Sequence, residues 1–305
     1  PAETGIPEYA RVVVIGGGII GCSVAYHLSE MGCEEVVLLE RDQLTSGTTW
    51  HAAGLMTTYG SGSETLLGIR RHSMELYKRL EEETGQQTGF APVGFIELAA
   101  DEDRLEEYRR ITAFNRLHGN EIHELSPSEV KALFPYAEVD GTCAGFYAEH
   151  DGRINPVDVT MALARGARMR GVRIFQNTPV RGVLTRGGTV TGVRTDKGEI
   201  RSEFVVNCAG MWARQLGALN GVCIPNQSTE HYYLITEPFE GMVRVMAFSP
   251  TGGGLLVGTS HPPPQLVHLR QAKTIGAIDD DGIGRRNIEP GFDIVVVTST
   301  SRSRR

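Results

Sequence analysis

The stretch Val12-Val13-Val14-Ile15-Gly16-Gly17-Gly18-Ile19-Ile20-Gly21 decides the fold of this 305-residue chain. Its β-branched run predicts a buried strand, Arg11–Ile15, which leads directly into the glycine cluster. A helix is predicted next and ends at Gly32. A second buried strand, Val36–Leu39, follows and leads into Glu40. Together these elements predict one βαβ unit.

The spacing of Gly16, Gly18 and Gly21 is that of a dinucleotide-binding turn. The first glycine permits the tight turn, the second lets the backbone approach a pyrophosphate, and the third lets helix and strand pack closely. The helix N-terminus then presents its partial positive charge to the phosphates. Glu40 lies 19 residues beyond Gly21, where a carboxylate that binds ribose hydroxyls is expected. Glycine-rich turns that bind nothing are common, but the strand, helix and acid around this one predict nucleotide binding.

The segment Leu44–Gly54, which reads LTSGTTWHAAG, distinguishes between two dinucleotides. Its small and hydroxyl residues let backbone N–H groups approach a bulky ligand. A later predicted strand ends in Cys208-Ala209-Gly210 and offers a second place of close approach. An NAD enzyme of this fold would usually place another βα unit after the second strand. The sequence therefore favours FAD over NAD.

Farther along the chain, the pattern changes from helical to extended near Gly171. Before it, Asp101, Ser126 and Asn155 are predicted helix N-caps. After it, the predicted strands are residues 172–175, 180–185, 189–195, 199–202 and 204–207. The order predicts an α/β fold: an FAD-binding Rossmann-like domain, with a mixed sheet and a separate antiparallel region, interleaved with an α+β substrate domain.

The predicted domain boundaries alternate along the chain. The FAD-binding domain is expected to comprise residues 1–85 and 145–222, and the substrate domain residues 86–144 and an incomplete second part, 223–260. Residues 261–305 contain three consecutive prolines and an Asp-Asp-Asp run, and they end in a Ser- and Arg-rich segment. This composition predicts an atypical, disordered tail.

Composition argues against several classes of function. The 30 basic and 37 acidic residues give a formal net charge of −7, which argues against a nucleic-acid-binding surface. None of the five cysteines forms a C-x-x-C pair, so neither a metal site nor a disulfide framework is expected. No apolar run approaches the roughly 18 residues of a membrane span. The chain begins with Pro1 rather than Met, which is compatible with removal of an upstream targeting segment.

Residues 11–258 resemble the dimethylglycine and sarcosine dehydrogenases, within the wider D-amino-acid-oxidase-like flavoproteins. The resemblance lies in residues 12–21, 37–54, 81–89, 151–156, 205–213 and 231–236. Residues 46–54 are the most diagnostic. In that family the histidine of this segment carries the flavin covalently through the 8α-methyl group, and His51 occupies its position. The bond would fix the isoalloxazine ring and raise its reduction potential.

The same resemblance, together with the glycine motif, assigns the cofactor-binding residues. They are Gly16, Gly18, Ile19, Ile20 and Gly21 at the pyrophosphate; Glu40 and Arg41 at the ribose; Gly47, Thr48, Thr49, Trp50, His51, Ala52, Ala53, Gly54 and Leu55 around the flavin; Val180 at the adenine; and Trp212 near the cofactor.

The reaction implied by the resemblance is oxidative demethylation of sarcosine or dimethylglycine. A hydride passes from the N-methyl carbon to the flavin, and water splits the resulting iminium into the demethylated amine and formaldehyde. His231 is similar to the residue that orients or deprotonates the amine, and Tyr233 completes the family's His-x-Tyr. The substrate carboxylate needs a cation, most simply a bidentate arginine, which the sequence does not identify. Electron-transfer flavoprotein or dioxygen would accept the electrons, in the mitochondrial matrix of a eukaryote or otherwise in the cytoplasm.

The resemblance also leaves other functions open. The regulatory subunit of pyruvate dehydrogenase phosphatase resembles this family over the same region, serves as a binding protein, and lacks the histidine at the position of His51. A second alternative is an amino-acid oxidase or dehydrogenase with non-covalent flavin. The resemblance weakens over Val243–Thr251 and ends after Gly258. The chain is therefore expected to be C-terminally truncated or divergent, and such a product would be inactive if the flavin were open to water.

Overall fold

The computed structural model of this protein describes residues 5–228 and the backbone of three later strands. Internal contacts divide the chain into two units. The first comprises Pro1–Gly54, Arg71–Ala91 and Arg153–Thr229, and the second comprises Leu55–Arg70, Pro92–Gly152 and Glu230–Arg305. This division assigns residues 55–70 to the second unit, whereas the sequence-based ranges assign them to the FAD-binding domain. Residues 259–305, which include the predicted tail, lie outside the described residues.

The described elements are numbered in chain order. The strands are β1 Tyr9–Ile15, β2 Val36–Leu39, β3 Leu55–Met56, β4 Phe95–Ala99, β5 His123–Leu125, β6 Ala144–Ala148, β7 Gly152–Arg153, β8 Arg173–Phe175, β9 Val180–Arg186, β10 Thr189–Thr195, β11 Gly198–Asn207, β12 Tyr233–Ile235, β13 Arg244–Phe248 and β14 Gly254–Gly258. The α-helices are α1 Ile19–Glu30, α2 Glu64–Thr84, α3 Glu102–Leu117, α4 Pro127–Leu133, α5 Pro156–Met169 and α6 Ala213–Ala218. Two short 3-10 helices span Thr49–His51 and Gly210–Trp212.

A six-stranded mixed sheet with the order β8-β2-β1-β11-β10-β9 forms the first unit. Strands β8, β2, β1 and β11 are parallel, whereas β10 is antiparallel to both β11 and β9. The prediction of a mixed sheet is confirmed. The expectation of a separate antiparallel region is wrong here, because the β9–β10 meander belongs to the same sheet.

Strand β11 explains how the meander joins the parallel strands. Its first residues pair with β10 from Gly198 to Arg201, and its remainder pairs with β1 up to Asn207. The sequence predicts two strands here, 199–202 and 204–207, and that division is wrong. Glu203 lies within one continuous strand because the residues on both sides of it, Ser202 and Phe204, pair with β1. Its exposed side chain also accepts a 2.6 Å hydrogen bond from the Tyr9 hydroxyl of β1.

Small residues on α5 allow close packing in the core of the first unit. The ring of Tyr26 on α1 is fully buried, and a Cβ added at Gly166 of α5 would lie 2.8 Å from it. The Tyr26 hydroxyl donates to the carboxylate of Glu83, at the end of α2. Asn155 caps α5, as predicted, by accepting from the N–H groups of Val157 and Asp158. Helices α1 and α5 therefore pack on one another beside the sheet.

The second unit contains an antiparallel sheet with the order β12-β13-β14-β4-β6-β5. Its core includes the rings of Tyr59, Phe95, Tyr108 and Phe146. The predicted N-caps of α3 and α4 are confirmed: Asp101 accepts from Arg104 N–H, and Ser126 forms a capping box with Glu129. No helix among the described residues combines the length and apolar character that crossing a membrane requires.

Candidate functional site

The glycine turn between β1 and α1 has no room for side chains at two positions. Gly16 has φ +112°, and a Cβ there would lie 2.3 Å from the carbonyl oxygen of Cys208, which follows β11. A Cβ at Gly21 would lie 1.8 Å from the carbonyl oxygen of Gly16. The backbone at the end of β1 thus approaches both α1 and the end of β11 closely, which only glycine permits.

The N-terminus of α1 offers backbone donors to an anion. Its N-cap is Gly18, which provides no side-chain cap, and the first turn contains no acidic residue. The N–H of Ile19 donates to Thr49 Oγ1 at 3.0 Å. The N–H groups of Ile20 and Gly21 have no acceptor within the helix, and the Ile20 side chain is 64% exposed. This arrangement fits a diphosphate, because unpaired N–H groups and the helix dipole both favour negative charge there.

Glu40 is buried directly after β2 and holds the glycine turn in place. Its carboxylate accepts a 2.6 Å hydrogen bond from Gly17 N–H and a 2.9 Å bond from Asp42 N–H. Its backbone carbonyl accepts a 2.8 Å bond from Thr178 N–H, two residues before Val180. The structure therefore places Glu40 beside the glycine turn and near the first residue of β9.

The side chains of Arg41 and Trp212 are in contact beside the segment that follows β2. The Arg41 guanidinium carbon lies 3.9 Å from the centroid of the Trp212 ring, in cation–π geometry. A Cβ added at Gly47 would lie 3.5 Å from the same ring. Residues far apart in sequence are thus neighbours at one edge of the first unit.

His51 ends the 3-10 helix Thr49–His51 and is half-buried. Its Nδ1 lies 3.2 Å from the carbonyl oxygen of Gly47, and its ring centroid lies 3.7 Å from that of Trp50. Burial lowers the pKa of His51 below its ordinary value, and its hydrogen bonds with the Gly47 and Thr48 backbone offset part of that effect. A neutral imidazole that donates through Nδ1 carries its lone pair on Nε2, so Nε2 is the nucleophilic nitrogen.

The segment that contains His51 ends at Gly54, which lies against the residues just before α5. Gly54 has φ +77°, and a Cβ there would lie 2.3 Å from the carbonyl oxygen of Ile154. The N–H of Ile154 donates to the Gly54 carbonyl at 2.8 Å. Thr48 precedes the 3-10 helix, while Ala52 follows it in extended conformation and leads into Ala53. Leu55 begins β3 and belongs to the second unit.

The two predicted catalytic residues are not both described. His231 lies outside the described residues. Tyr233 begins β12 in the second unit, where the structure describes the backbone alone. Their roles stay predictions.

Two polar residues of the Asp151-Gly152-Arg153 segment, one buried and one half-buried, are not predicted as functional from the sequence. Asp151 is fully buried in the second unit and accepts from Thr58 N–H at 2.8 Å, Thr58 Oγ1 at 2.7 Å and Tyr59 N–H at 3.1 Å. Arg153 is half-buried in the first unit, and its buried Nε has no hydrogen-bond partner among the described residues. A charged pair of positions just before a helix cap is the one signal that the sequence offers for either.

The residues of the first unit fit FAD. They provide a glycine cradle, free N–H groups at a helix start, a buried carboxylate near Val180 and a nucleophilic histidine on the following segment. No cluster of three or more His, Cys, Asp or Glu side chains suited to a metal ion occurs in the described part of the chain.

Comparison with known proteins identifies relatives among amine-oxidising flavoenzymes. The chain is similar to mitochondrial sarcosine dehydrogenase of Homo sapiens, with 41% identity over 243 residues, 78% of this chain and 26% of that protein. It is 42% identical to mitochondrial dimethylglycine dehydrogenase of Rattus norvegicus over 75% of this chain and 27% of the relative. The mitochondrial pyruvate dehydrogenase phosphatase regulatory subunit of Mus musculus is 42% identical over 77% of this chain and 27% of its own length. The chain thus spans about a quarter of the length of these relatives.

Solved structures share the fold. L-proline dehydrogenase from P. horikoshii superposes with a TM-score of 0.70 and 27% identity, over 82% of this chain and 70% of that chain. The family model described as DAO, FAD dependent oxidoreductase, matches residues 11–289. The match continues beyond Gly258, so the expectation that family resemblance ends there is wrong. The chain belongs to the DAO family of FAD-dependent oxidoreductases.

Proposed function

We propose that this chain carries the FAD site of an enzyme that oxidises the CH–N bond of N-methylated glycines such as sarcosine or dimethylglycine. The observation that carries the proposal is 41% and 42% identity to dehydrogenases of these two amines over at least three quarters of the chain. A fold alone would not favour a substrate, since one fold hosts many reactions. Identity at this level, combined with a nucleophilic histidine at His51, favours this substrate class.

Bound FAD would supply the hydride acceptor of the reaction. In our proposal the N–H groups of Ile20 and Gly21 bind its diphosphate, and Gly16 and Gly18 permit the close approach. Glu40 and Arg41 lie at the ribose side, and the backbone of Val180 holds the adenine. Residues 47–55 and Trp212 surround the flavin.

His51 is proposed to attach the flavin covalently. The Gly47 carbonyl fixes the Nδ1–H tautomer and leaves the Nε2 lone pair available for the 8α-methyl carbon. Burial supports this role because it keeps the imidazole neutral, and only the neutral ring is a nucleophile. The Trp50 ring, tilted by 35° against the imidazole with its centroid 3.7 Å away, restricts the orientation of the imidazole.

His231 is proposed to orient or deprotonate the amine, together with Tyr233 two residues later. The products would be the demethylated amine and formaldehyde. Electron-transfer flavoprotein or dioxygen would reoxidise the flavin. Mitochondrial relatives favour the mitochondrial matrix for a eukaryotic protein.

Anaerobic mixing with substrate tests the proposal directly. Sarcosine or dimethylglycine should bleach the absorbance of FAD bound to the chain, and formaldehyde should form after reoxidation. The 42% identity to the phosphatase regulatory subunit favours one competing function, a non-catalytic binding protein. Bound FAD that neither amine reduces would support that competitor. Reduction by amino acids without an N-methyl group would instead favour an amino-acid oxidase.

A further inference from the structure

Two histidines from different helices of the first unit bring their Nε2 atoms close together. His27 lies on α1 and is partly buried, whereas His72 lies on α2 and is exposed. The two Nε2 atoms are 3.3 Å apart, and the ring centroids are 5.5 Å apart with the rings tilted by 44°. The histidines are separated by 45 positions in the sequence, so only the packing of α1 against α2 creates the pair.

The backbone of α1 determines which nitrogen of His27 is available to a ligand. Its Nδ1 lies 2.8 Å from the carbonyl oxygen of Ser23, and the Ser23 hydroxyl is farther away, at 3.3 Å. A carbonyl oxygen can only accept, so Nδ1 carries the proton and Nε2 keeps its lone pair. Histidines that bind metal ions almost always donate their other N–H to a carbonyl, carboxylate or water, which fixes this tautomer. His27 is therefore already arranged as a metal ligand on the side that approaches His72.

The spacing of the two nitrogens fits a shared metal ion better than a hydrogen bond between the rings. An N–H donor usually lies about 2.7–3.2 Å from its acceptor, so the observed 3.3 Å is long for a hydrogen bond. In contrast, two imidazole nitrogens that bind one tetrahedral zinc ion are about 3.3–3.4 Å apart, because each lies about 2.0–2.1 Å from the ion. Mg²⁺ and Ca²⁺ do not suit the pair, since these ions take oxygen ligands.

The remaining coordination positions are open to water and to carboxylates. No third His, Cys, Asp or Glu is grouped with the pair in the part of the chain that the structure describes. Three residues after each histidine there is a glutamate, Glu30 or Glu75, on the same side of its helix. Both glutamates form exposed ion pairs with basic residues of α2. Such pairs contribute little, so they do not prevent either carboxylate from turning toward a cation.

We infer that His27 and His72 bind a divalent transition-metal ion that accepts tetrahedral coordination, Zn²⁺ above all, and that this ion links α1 to α2. The site is separate from the glycine turn, because His27 lies about two turns and 12 Å along α1 from Ile19. It requires neither bound FAD nor an amine substrate. Its consequence is a more stable first unit, since an ion that binds only the folded chain raises the free energy of unfolding.

The test titrates Zn²⁺ into the full-length protein, prepared without a histidine tag and with FAD added, and measures both the heat of binding and the Tm. The wild type is compared with His27→Ala, His72→Ala and His72→Gln. The glutamine amide can still donate to Nε2 of His27 but is a poor ligand for Zn²⁺. His150→Ala is the matched control, because His150 is an exposed histidine after β6 in the second unit. Mg²⁺ is the control ion.

Zn²⁺ at about a hundred times its dissociation constant should raise the Tm of the wild type by roughly 5–10 °C, whereas Mg²⁺ should leave it unchanged. Removing either histidine should weaken Zn²⁺ binding by about a hundredfold, because the second imidazole binds an ion that the first already holds. His72→Gln should have the Tm of the wild type without Zn²⁺ and lose the shift with it. His150→Ala should show the full shift.

Three results would overturn the metal site. One is a wild-type Tm that Zn²⁺ does not change, and another is the same Zn²⁺ shift in His72→Gln as in the wild type. The third is an equal loss of the shift in His150→Ala, which would show non-specific binding. If His27→Ala fails to fold, because the imidazole packs edge-on against Tyr26, the variants of exposed His72 decide the matter. If no amine reduces the flavin, the proposed function fails, while the Zn²⁺ titration still tests the two histidines.

Discussion

The imidazole Nδ1 of His51 lies 3.2 Å from the carbonyl oxygen of Gly47, four residues earlier in the chain. This contact determines which nitrogen can react, because a carbonyl can only accept and Nδ1 must therefore carry the proton. Nε2 keeps its lone pair. The short 3-10 helix at Thr49–His51 brings the two groups together.

Replacing His51 with alanine should separate cofactor binding from cofactor attachment. His51→Ala should still bind FAD through the glycine turn but release it in denaturant, and its bound flavin should have a lower reduction potential. His72→Ala is a suitable control, because His72 is an exposed histidine on α2 of the same unit. It should retain flavin as the wild type does. Equal retention in His51→Ala and the wild type would show that the flavin is non-covalent.

Covalent attachment should depend on pH according to the lowered pKa of His51. Burial shifts this pKa below the ordinary histidine value of about 6.5, so the neutral nucleophile persists to lower pH than in free histidine. Covalent incorporation of FAD into apoprotein should stay constant from about pH 8 to the ordinary histidine pKa and decline only below it. Attachment already halved above pH 6.5 would contradict a lowered pKa.

The lowered pKa of His51 also makes the folding stability of the chain depend on pH. The His51 imidazole keeps its proton to higher pH in the unfolded chain than in the folded chain. Just below pH 6.5 the unfolded state therefore binds more protons than the folded state. The contribution of neutral His51 to stability is therefore complete above that pH and is lost as the pH falls toward the folded pKa. His51→Ala should remove this part of the pH dependence in denaturant titrations.

An alanine at Gly21 should abolish FAD binding. Its Cβ would lie 1.8 Å from the Gly16 carbonyl oxygen, so α1 must move away from β1 and the phosphate cradle opens. We expect a loss of stability of about 1–3 kcal/mol, as for other overpacked sites. Gly68→Ala is the control: Gly68 lies within α2, and a Cβ there meets no atom within 4 Å. It should stabilise the chain by about 0.5–1 kcal/mol. FAD affinity of Gly21→Ala close to that of the wild type would refute the role of the cradle.

Asp151 offers a stability test within the second unit. Asp151→Ala leaves the buried N–H groups of Thr58 and Tyr59 without an acceptor, at a cost of about 1–3 kcal/mol each. Asp151→Asn should be much milder, because its amide oxygen can accept from both N–H groups while its NH₂ donates to Thr58 Oγ1. Urea titration distinguishes the two variants. Equal destabilisation by Ala and Asn would mean that the negative charge matters more than the hydrogen bonds.

Much of the fold is predictable from local sequence. The β-branched run before Gly16 predicts β1, and the residues at Asp101, Ser126 and Asn155 predict three helix starts, because capping depends on residues within one turn. Strand β11 is harder to predict. Its continuity through Glu203 depends on backbone pairing with β1, which is about 190 residues earlier in the chain.

The site is predictable only where it depends on spacing. The glycine turn and the carboxylate of Glu40 follow from a fixed interval along the chain. The bond between Glu40 and Gly17, and the contact of Arg41 with Trp212, depend on how strands are arranged in the sheet. Arg153 has only a weak sequence signal, because its distinguishing property is a buried Nε without a hydrogen-bond partner among the described residues.

Acid precipitation of the FAD-reconstituted, full-length chain tests the central claim most directly. We expect a native protein with flavin absorbance, a pellet that stays yellow after washing, and one peptide, containing His51, whose mass has increased by one FAD. A colourless pellet from yellow native protein would contradict covalent attachment. Native protein that acquires no flavin absorbance with excess FAD would contradict the FAD site itself.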